Sequence, residues 1–306
     1  MTIIALDLSS LDGANGFGIS GINAYDLTGM SVSGAGDFNG DGIDDVIVSS
    51  GGANAYAGIS HVVFGSTAGF PASLDLSTLD GVIGFNLSGA FAGGNSGIVV
   101  SDAGDVNADG LDDVIIGAPF ESDSSGSFDG RAYVVFGATS NFPNVDLSSL
   151  DGASGFAIDG AGGGFGRAVS SAGDVNGDGV ADIVIGQPFN GPDNPGTAYV
   201  VYGSSSGFGA SFDISALDGT NGFTISGAAL LDFTGLWVSG AGDVNGDGLA
   251  DIVIGAPTPP NAATSEGRAY VVFGSTAGFA ANIDLSELDG SNGFAMNGIA
   301  LGDGAG

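Results

Sequence analysis

The sequence contains no cysteine and no lysine, and it has one histidine and one tryptophan in 306 residues. Without cysteine, the chain has no disulfide framework and no thiolate to act as a nucleophile or metal ligand. Three arginines stand against 35 acidic residues, for a formal net charge of −32. This imbalance argues against binding to nucleic acid and to anionic lipid headgroups, because both carry negative charge themselves.

The sequence also lacks long apolar runs. No stretch reaches the roughly 18 consecutive apolar residues of a membrane-spanning helix, so no transmembrane segment is expected. Residues 1–7 have neither the basic region nor the apolar core of a signal peptide. If the protein is exported, we therefore expect its signal to lie outside this chain or to be of another kind.

Strong acidity is typical of disordered chains, but 43% of the residues are hydrophobic and 20 are phenylalanine. That apolar content predicts a packed core. The 60 glycines indicate many tight turns, without the period of three that marks collagen.

The dominant feature is an internal repeat, which accounts for the whole chain. Four segments align without gaps, and their first aspartates are spaced by 68, 69 and 69 residues. They read AGDFNGDGIDDVIV, AGDVNADGLDDVII, AGDVNGDGVADIVI and AGDVNGDGLADIVI, from residues 35, 103, 172 and 241. A second block, HVVFG or YVV(F/Y)G, also occurs four times, and a third block, of the type LDLSSLDGANGF, occurs five times.

Each repeat predicts four short β-strands. The runs DVIV, DVII and DIVI are continuous and rich in β-branched residues, as expected for strands covered on both faces. The YVVFG block, the segment before each first aspartate and the GFxxS segment supply three more, separated by Gly, Asp and Asn turns. Four antiparallel strands per repeat make one blade of an all-β propeller. A short turn of helix is expected in the Leu-Ser-Ser-Leu segments.

Each repeat carries the string D-x-N-x-D-G-x-x-D between two predicted strands. Carboxylate and amide oxygens at positions one, three, five and nine, with the backbone carbonyl of position seven, can supply the six to eight oxygen ligands of Ca²⁺. The glycine at position six allows the sharp turn. We predict four calcium sites, formed by Asp37, Asn39, Asp41, Ile43 and Asp45; Asp105, Asn107, Asp109, Leu111 and Asp113; Asp174, Asn176, Asp178, Val180 and Asp182; and Asp243, Asn245, Asp247, Leu249 and Asp251.

Two alternatives compete with this interpretation. An EF-hand would need a glutamate at position twelve on a helix, whereas Val48, Ile116, Ile185 and Ile254 stand there inside predicted strands. Asn-Gly and Asp-Gly hairpin turns that bind nothing would explain one loop. They do not explain why the same oxygen-bearing positions recur in four copies. Ca²⁺ is favoured over Mg²⁺, which dehydrates reluctantly.

The loops, the strands after them and the flanking glycines resemble the FG-GAP repeat of integrin α-subunit propellers. Phe165-Gly166 precedes the third loop, and Gly-Ala-Pro follows the second and fourth. The first repeat departs from the pattern, with Ser49-Ser50-Gly51. The resemblance implies a seven-bladed propeller closed by an N-terminal strand. Four blades are fewer than seven, so the chain is a fragment of a longer protein, or its arc is open, or it closes by association. We favour a fragment, with a closing outer strand in 1–21, blades at about 22–89, 90–160, 161–227 and 228–298, and the start of a further repeat in 299–306.

The resemblance implies an extracellular, secreted or cell-surface scaffold for adhesion or recognition, with calcium as a structural element and a protein or glycan as its partner. Recognition is expected in the variable loops 120–129, 189–196 and 258–267. The alternative is a carbohydrate-active enzyme or a lectin on the same propeller. The sequence gives an enzyme little support, because His61 stands where other repeats have tyrosine and no G-x-S-x-G elbow is present. Trp237 is expected to pack, and the arginines are expected to pair with carboxylates.

Overall fold

The computed structural model describes residues 7–122, 129–190, 195–257, 266–300 and 304–306. Over these ranges the regular structure is almost entirely β, as the sequence predicts. A short strand, β1 (Gly18–Ser20), precedes the first repeat. The first repeat then contributes β2 (Thr28–Gly36), β3 (Asp45–Ser50), β4 (Ile59–Val63), β5 (Ser73–Asp75) and β6 (Gly84–Ser88).

The next three repeats use the same order of strands. The second contains β7 (Val99–Gly104), β8 (Asp113–Ala118), β9 (Arg131–Val135), β10 (Val145–Asp146) and β11 (Gly155–Asp159). The third contains β12 (Ala168–Gly173), β13 (Asp182–Gln187), β14 (Thr197–Val201), β15 (Ser211–Asp213) and β16 (Gly222–Ser226). The fourth contains β17 (Trp237–Gly242), β18 (Asp251–Ala256), β19 (Arg268–Val272), β20 (Asn282–Asp284) and β21 (Gly293–Asn297).

Each repeat builds an antiparallel sheet of four strands, in the order β2-β3-β4-β6 for the first and equivalently for the others. A fifth strand joins three of these sheets from the following repeat, and it pairs in parallel. Thus β10 lies beside β6, β15 beside β11 and β20 beside β16. The sequence analysis did not predict this fifth strand. The pair β1–β5 has the same parallel arrangement. Strand β1 therefore corresponds to the fourth strand of a blade, the position that β6 has beside β10.

Within the described residues, helical structure is confined to single turns. Short 3₁₀ turns follow the parallel strands in the Leu-Ser-Ser segments, as expected, and each begins after an aspartate whose carboxylate accepts the second backbone N–H of the turn. They span Leu8–Ser10, Leu76–Thr78, Leu147–Ser149, Ile214–Ala216 and Leu285–Glu287. One further turn, α1 (Ala53–Tyr56), has left-handed φ at Asn54 and Ala55.

The sheets pack face to face in sequence order, with β2, β7, β12 and β17 as successive innermost strands. Three apolar clusters lie between consecutive sheets, and a smaller one joins the β1–β5 pair to the first sheet. The runs Asp113–Ala118 and Asp182–Gln187 are buried at every position, which explains why they lack alternation. Stacked four-stranded sheets with adjacent inner strands are the arrangement of propeller blades.

Candidate metal loops

The four predicted metal loops, residues 37–45, 105–113, 174–182 and 243–251, lie between the first and second strands of each blade. We call them loops one to four. Each is introduced by a β-bulge, at which the pairing shifts by one residue before the final glycine of the inner strand. These glycines, Gly36, Gly104, Gly173 and Gly242, have φ between 54° and 72°. A left-handed φ favours glycine, so the bulge explains why Ala-Gly-Asp recurs in all four repeats.

The aspartate at position one organises each loop. In loop one, Asp37 accepts hydrogen bonds from the backbone N–H of Asp41 at Oδ1 and of Gly42 at Oδ2, both at 2.9 Å. The same pair of bonds occurs in the other loops, at 2.8–3.1 Å, to positions five and six. The glycine at position six has φ of 86–91° in all four loops, so the sharp turn predicted there is present.

Positions three and five repeat a second pattern. In loop one the Asn39 Oδ1 accepts the N–H of Asp41 at 2.8 Å, and the Asp41 Oδ1 accepts the N–H of Ile43 at 2.9 Å. Equivalent bonds are present in loops two, three and four, at 2.8–2.9 Å. The backbone amides thus turn the side-chain oxygens of positions one, three and five toward the interior of the loop. Since a carboxylate has about four acceptor sites, these bonds leave room for a cation.

The aspartate at position nine is buried in every loop, with Asp113, Asp182 and Asp251 at 0% exposure. Its Oδ1 accepts the N–H of the glycine that follows the third strand, and in loops two to four its Oδ2 accepts the N–H of position two. In loop one, Asp45 Oδ1 accepts from Gly65, whereas its Oδ2 has no partner among the described residues. The position-nine side chain therefore ties the loop to its own blade, a role that the sequence analysis did not assign.

Burial raises the pKa of the position-nine aspartate in loops one, two and three. Desolvation, opposed by two backbone hydrogen bonds, raises the pKa of Asp113 to about 8 and that of Asp182 to about 7. The same cause raises the pKa of Asp45 to about 6. The other two aspartates of each loop add a smaller effect in the same direction. A bound cation would favour the ionised forms and reverse these shifts.

The donor set of each loop consists of oxygen atoms alone, which suits Ca²⁺ or Mg²⁺ and not a metal that prefers sulfur or imidazole. Within the described ranges, no three Asp, Glu, His or Cys side chains converge closely enough to hold a metal ion. The structure thus places every predicted site residue in its loop but leaves the calcium assignment as a prediction. The four position-twelve residues are buried in strands, which excludes an EF-hand.

Carbonyl oxygens at position two connect the loops to the next blade. Phe38 accepts a hydrogen bond from the N–H of Ala138 at 3.0 Å, Val106 from Ser204 at 2.8 Å and Val175 from Ser275 at 2.8 Å. Each donor lies just after the third strand of the following repeat. The conformation of a loop is therefore coupled to the joint between its blade and the next.

Several single residues were also considered in the sequence. His61 is fully buried in β4, where its ring bonds Ser50 and Asn86, as expected of a strand residue in place of an aromatic. Arg131 pairs with Asp159 at 2.7 Å. The expectations for Trp237, which was predicted to pack, and for Arg167, which was predicted to pair with a carboxylate, were less accurate. Trp237 is 55% exposed, and its ring lies 5.8 Å from the guanidinium carbon of Arg167.

The sequence analysis missed a polar cluster at the blade edge opposite loop two. Glu121 is 1% exposed, and its carboxylate accepts a hydrogen bond from the hydroxyl of Tyr133. Burial raises its pKa to about 7. Together with Arg131, Asp159 and Asp213 it lines a cavity of about 280 Å³. No repeated motif could have drawn attention to Glu121, because it falls at the start of a loop that varies among the repeats.

Sequence comparison identifies the repeat. The family model described as "FG-GAP repeat" matches residues 28–63, 100–135, 165–201 and 234–272. This is a chain of four FG-GAP repeats. Each matched segment runs from the inner strand through the metal loop to the third strand, and so contains all five predicted ligand positions of its loop.

Similar proteins include integrin alpha chains. The chain is 31% identical to integrin alpha pat-2 of Caenorhabditis elegans over 252 residues, which are 78% of this chain and 18% of that protein. It is 31% identical to integrin alpha-PS2 of Drosophila melanogaster over 211 residues, 67% of this chain and 14% of that protein. A third relative is the phosphatidylinositol-glycan-specific phospholipase D of Bos taurus, with 34% identity over 168 residues, 53% of this chain and 19% of the enzyme. The chain thus spans less than a fifth of the length of these proteins.

Proposed function

We propose that these FG-GAP repeats form a calcium-binding propeller scaffold for extracellular adhesion or recognition, in which one Ca²⁺ in each loop has a structural role. The observation that carries the proposal is the hydrogen-bond network at positions one, three and five, which is the same in all four loops. Such a network turns oxygen atoms of three side chains toward the interior of each loop, where a cation would offset the repulsion between the carboxylates.

Charge and burial support the same proposal. Four Ca²⁺ ions would neutralise eight of the 32 excess negative charges. Each would lie close to a buried position-nine aspartate such as Asp113 or Asp182. Binding would replace an unfavourable buried carboxylate by a coordinated one, so part of the binding free energy is expected to appear as folding stability.

The extracellular location is inferred from the integrin relatives and from the cation. Extracellular calcium modules commonly bind with Kd of about 0.1–1 mM, which suits the calcium level outside cells. In the part of the chain that the structure describes, no helix is long and apolar enough to cross a membrane.

The partner is proposed to be an extracellular protein or glycan that meets the face opposite the metal loops. The loops predicted to recognise it are described only in part, since residues 123–128, 191–194 and 258–265 lie outside the described ranges. Of the described residues, Glu121, Arg131 and Asp159 lie on this face, where they line the 280 Å³ cavity.

The enzyme alternative has one observation in its favour, the similarity to the phospholipase D. The similar segment is 19% of that enzyme, and in this chain it consists of repeat units whose loop carboxylates engage backbone amides. We therefore propose a binding role for this chain and no catalysis of its own. An assay for release of glycan or lipid products by the purified chain would contradict this proposal if it detected turnover.

Calorimetric titration with Ca²⁺ tests the proposal directly. We expect about four sites, and we expect Asp109→Asn, at position five of loop two, to remove or weaken one of them. Asp151→Asn is the matched control, because Asp151 is an exposed aspartate that also accepts backbone N–H groups but lies outside the loops. No binding heat, or an equal loss in both variants, would contradict the calcium assignment.

A further inference from the structure

One residue beside loop three differs in kind from its counterparts. Directly after the third strand of each blade the chain places an aromatic residue, and in the first three blades this residue is buried in the apolar cluster between its own blade and the next. These residues are Phe64, Phe136, Tyr202 and Phe273. Only the third repeat therefore carries a hydroxyl at this position.

The hydroxyl of Tyr202 is buried without a partner. The residue is 8% exposed, and its ring packs edge-on against Phe223 with centroids 6.0 Å apart. No hydrogen bond joins its oxygen to any of the described residues. An unsatisfied buried hydroxyl is unfavourable, and a phenylalanine would avoid the penalty with the same packing. The tyrosine therefore requires another explanation.

The surroundings of Tyr202 include the metal loop. Together with Asn176, Asp178 and Val180, at positions three, five and seven, it lines a cavity of about 740 Å³. The next residue along the chain contacts the same loop, because the N–H of Gly203 donates a hydrogen bond to the Asp182 Oδ1 at 3.0 Å.

The corresponding cavities in the other blades differ. Those beside Phe64, Phe136 and Phe273 measure about 450, 210 and 270 Å³. No side chain at position three, five or seven of a loop is among their lining residues.

We propose that Tyr202 belongs to the cation site of loop three, where its hydroxyl donates a hydrogen bond to the ligand shell of the bound cation and makes this the tightest of the four sites. The inference rests on the proposed function, because it assumes that the loops bind calcium. No group of the described residues hydrogen-bonds the hydroxyl, whereas a carboxylate or a water in the ligand shell of a cation would supply a partner. A hydrogen bond to a charged group of this kind corresponds to a Kd about tenfold lower than in a site that has phenylalanine.

The location of the other aromatic chromophores makes this inference testable. The described ranges contain all six tyrosines and the tryptophan. Tyr133 and Tyr199 direct their hydroxyls to Glu121 and Gln187, at the blade edge opposite the loops. Trp237 pairs with Gly255, at the end of β18 away from its loop. The Tyr270 hydroxyl accepts a hydrogen bond from Arg268, and Tyr25 and Tyr56 lie near Gly52, beyond the end of β3 away from loop one. Tyr202 is thus the one tyrosine or tryptophan beside a metal loop in this part of the chain.

Terbium luminescence gives the first readout, because Tb³⁺ occupies calcium sites and emits when a nearby phenol transfers energy to it. We expect sensitised emission to reach its full amplitude with the first equivalent of Tb³⁺, and Tyr202→Phe to abolish it. Adding Phe136→Tyr to this variant gives the second repeat the tyrosine of the third. It should restore sensitised emission, but at a different number of added equivalents of Tb³⁺. Full sensitised emission in Tyr202→Phe would overturn the inference.

Calcium titration and thermal melts give the second readout. In Tyr202→Phe we expect one site to weaken about tenfold and the other three to remain unchanged. Without calcium the variant should be as stable as the parent chain or more stable, and with calcium less stable. If Tyr202 had a purely structural role, the substitution would change the stability in the same direction with and without calcium. If the parent chain binds no calcium, the proposed function fails. If it binds calcium and no site changes in the variant, only the role of Tyr202 fails.

Discussion

The buried position-nine aspartates predict that stability of the calcium-free chain falls as the pH rises. Burial raises the pKa of Asp113 to about 8 and that of Asp182 to about 7, from an ordinary value of 3.8. A raised folded-state pKa means that the native state holds a proton which the unfolded chain has lost. The stabilising contribution is therefore complete below about pH 4 and is lost as the pH rises through the folded-state values.

The magnitude follows from proton linkage. Between about pH 4 and pH 7 each of the two groups binds about one more proton in the native state than in the unfolded state. The free energy of unfolding should then decrease by about 1.4 kcal/mol per pH unit for each group. With calcium both carboxylates are ionised in the native state, so this dependence should vanish, and calcium affinity should rise with pH because binding releases protons.

Urea denaturation at several pH values, in calcium and in chelator, measures this dependence. In chelator, Asp113→Asn should remove the contribution of one group from the slope of the unfolding free energy against pH. It should also weaken the fold at every pH, because an amide cannot accept the hydrogen bonds of both Val106 and Gly137. Asp151→Asn is the control, since hydrogen bonds in an exposed turn lower the pKa of that aspartate and keep it ionised over this range. Equal slopes in calcium and in chelator would refute the reasoning.

Two substitutions test the fold itself. Ile116→Ala, at a fully buried position of β8, should lower the free energy of unfolding by about 2–5 kcal/mol in urea titration, whereas Val82→Ala, at a 77% exposed position, should have little effect. Gly110→Ala should lower it by about 1–2 kcal/mol because φ is 90° there and no atom lies near the added methyl group. Gly34→Ala, where the space is equally open and φ is not left-handed, should show no such loss.

Repetition made most of the fold predictable. The strands, the short turns and the four Asp loops appear in the sequence four times or more, so a pattern that would be ambiguous once becomes specific. The fifth, parallel strand was missed for a physical reason. Val145–Asp146 is only two residues long, which is too short to show an alternating pattern. It also pairs with a strand of the preceding repeat, so the residues next to it in sequence do not indicate its partner.

The candidate site was predictable in composition and less so in detail. The loop positions and the sharp turn at position six follow from residue type alone. The tie from position nine to its own blade does not, because Asp113 meets Gly137, which is 24 residues away. Glu121 and Tyr202 were missed because each occurs in one repeat, and their significance depends on burial and on partners that the sequence does not show.

The bonds from the loops to the following blades suggest how calcium would act on the whole propeller. The amides of Ala138, Ser204 and Ser275 donate to carbonyls at position two of the preceding loop. Order in a loop therefore restrains the joint between two blades, and the joints together set the geometry of the opposite face. We expect hydrogen exchange at these three amides to slow markedly when calcium is added. The amide of Gly219, which donates to Gly222 in an outer turn, should not respond. A uniform change at all four amides would mean that calcium stabilises the fold globally and does not act through the joints.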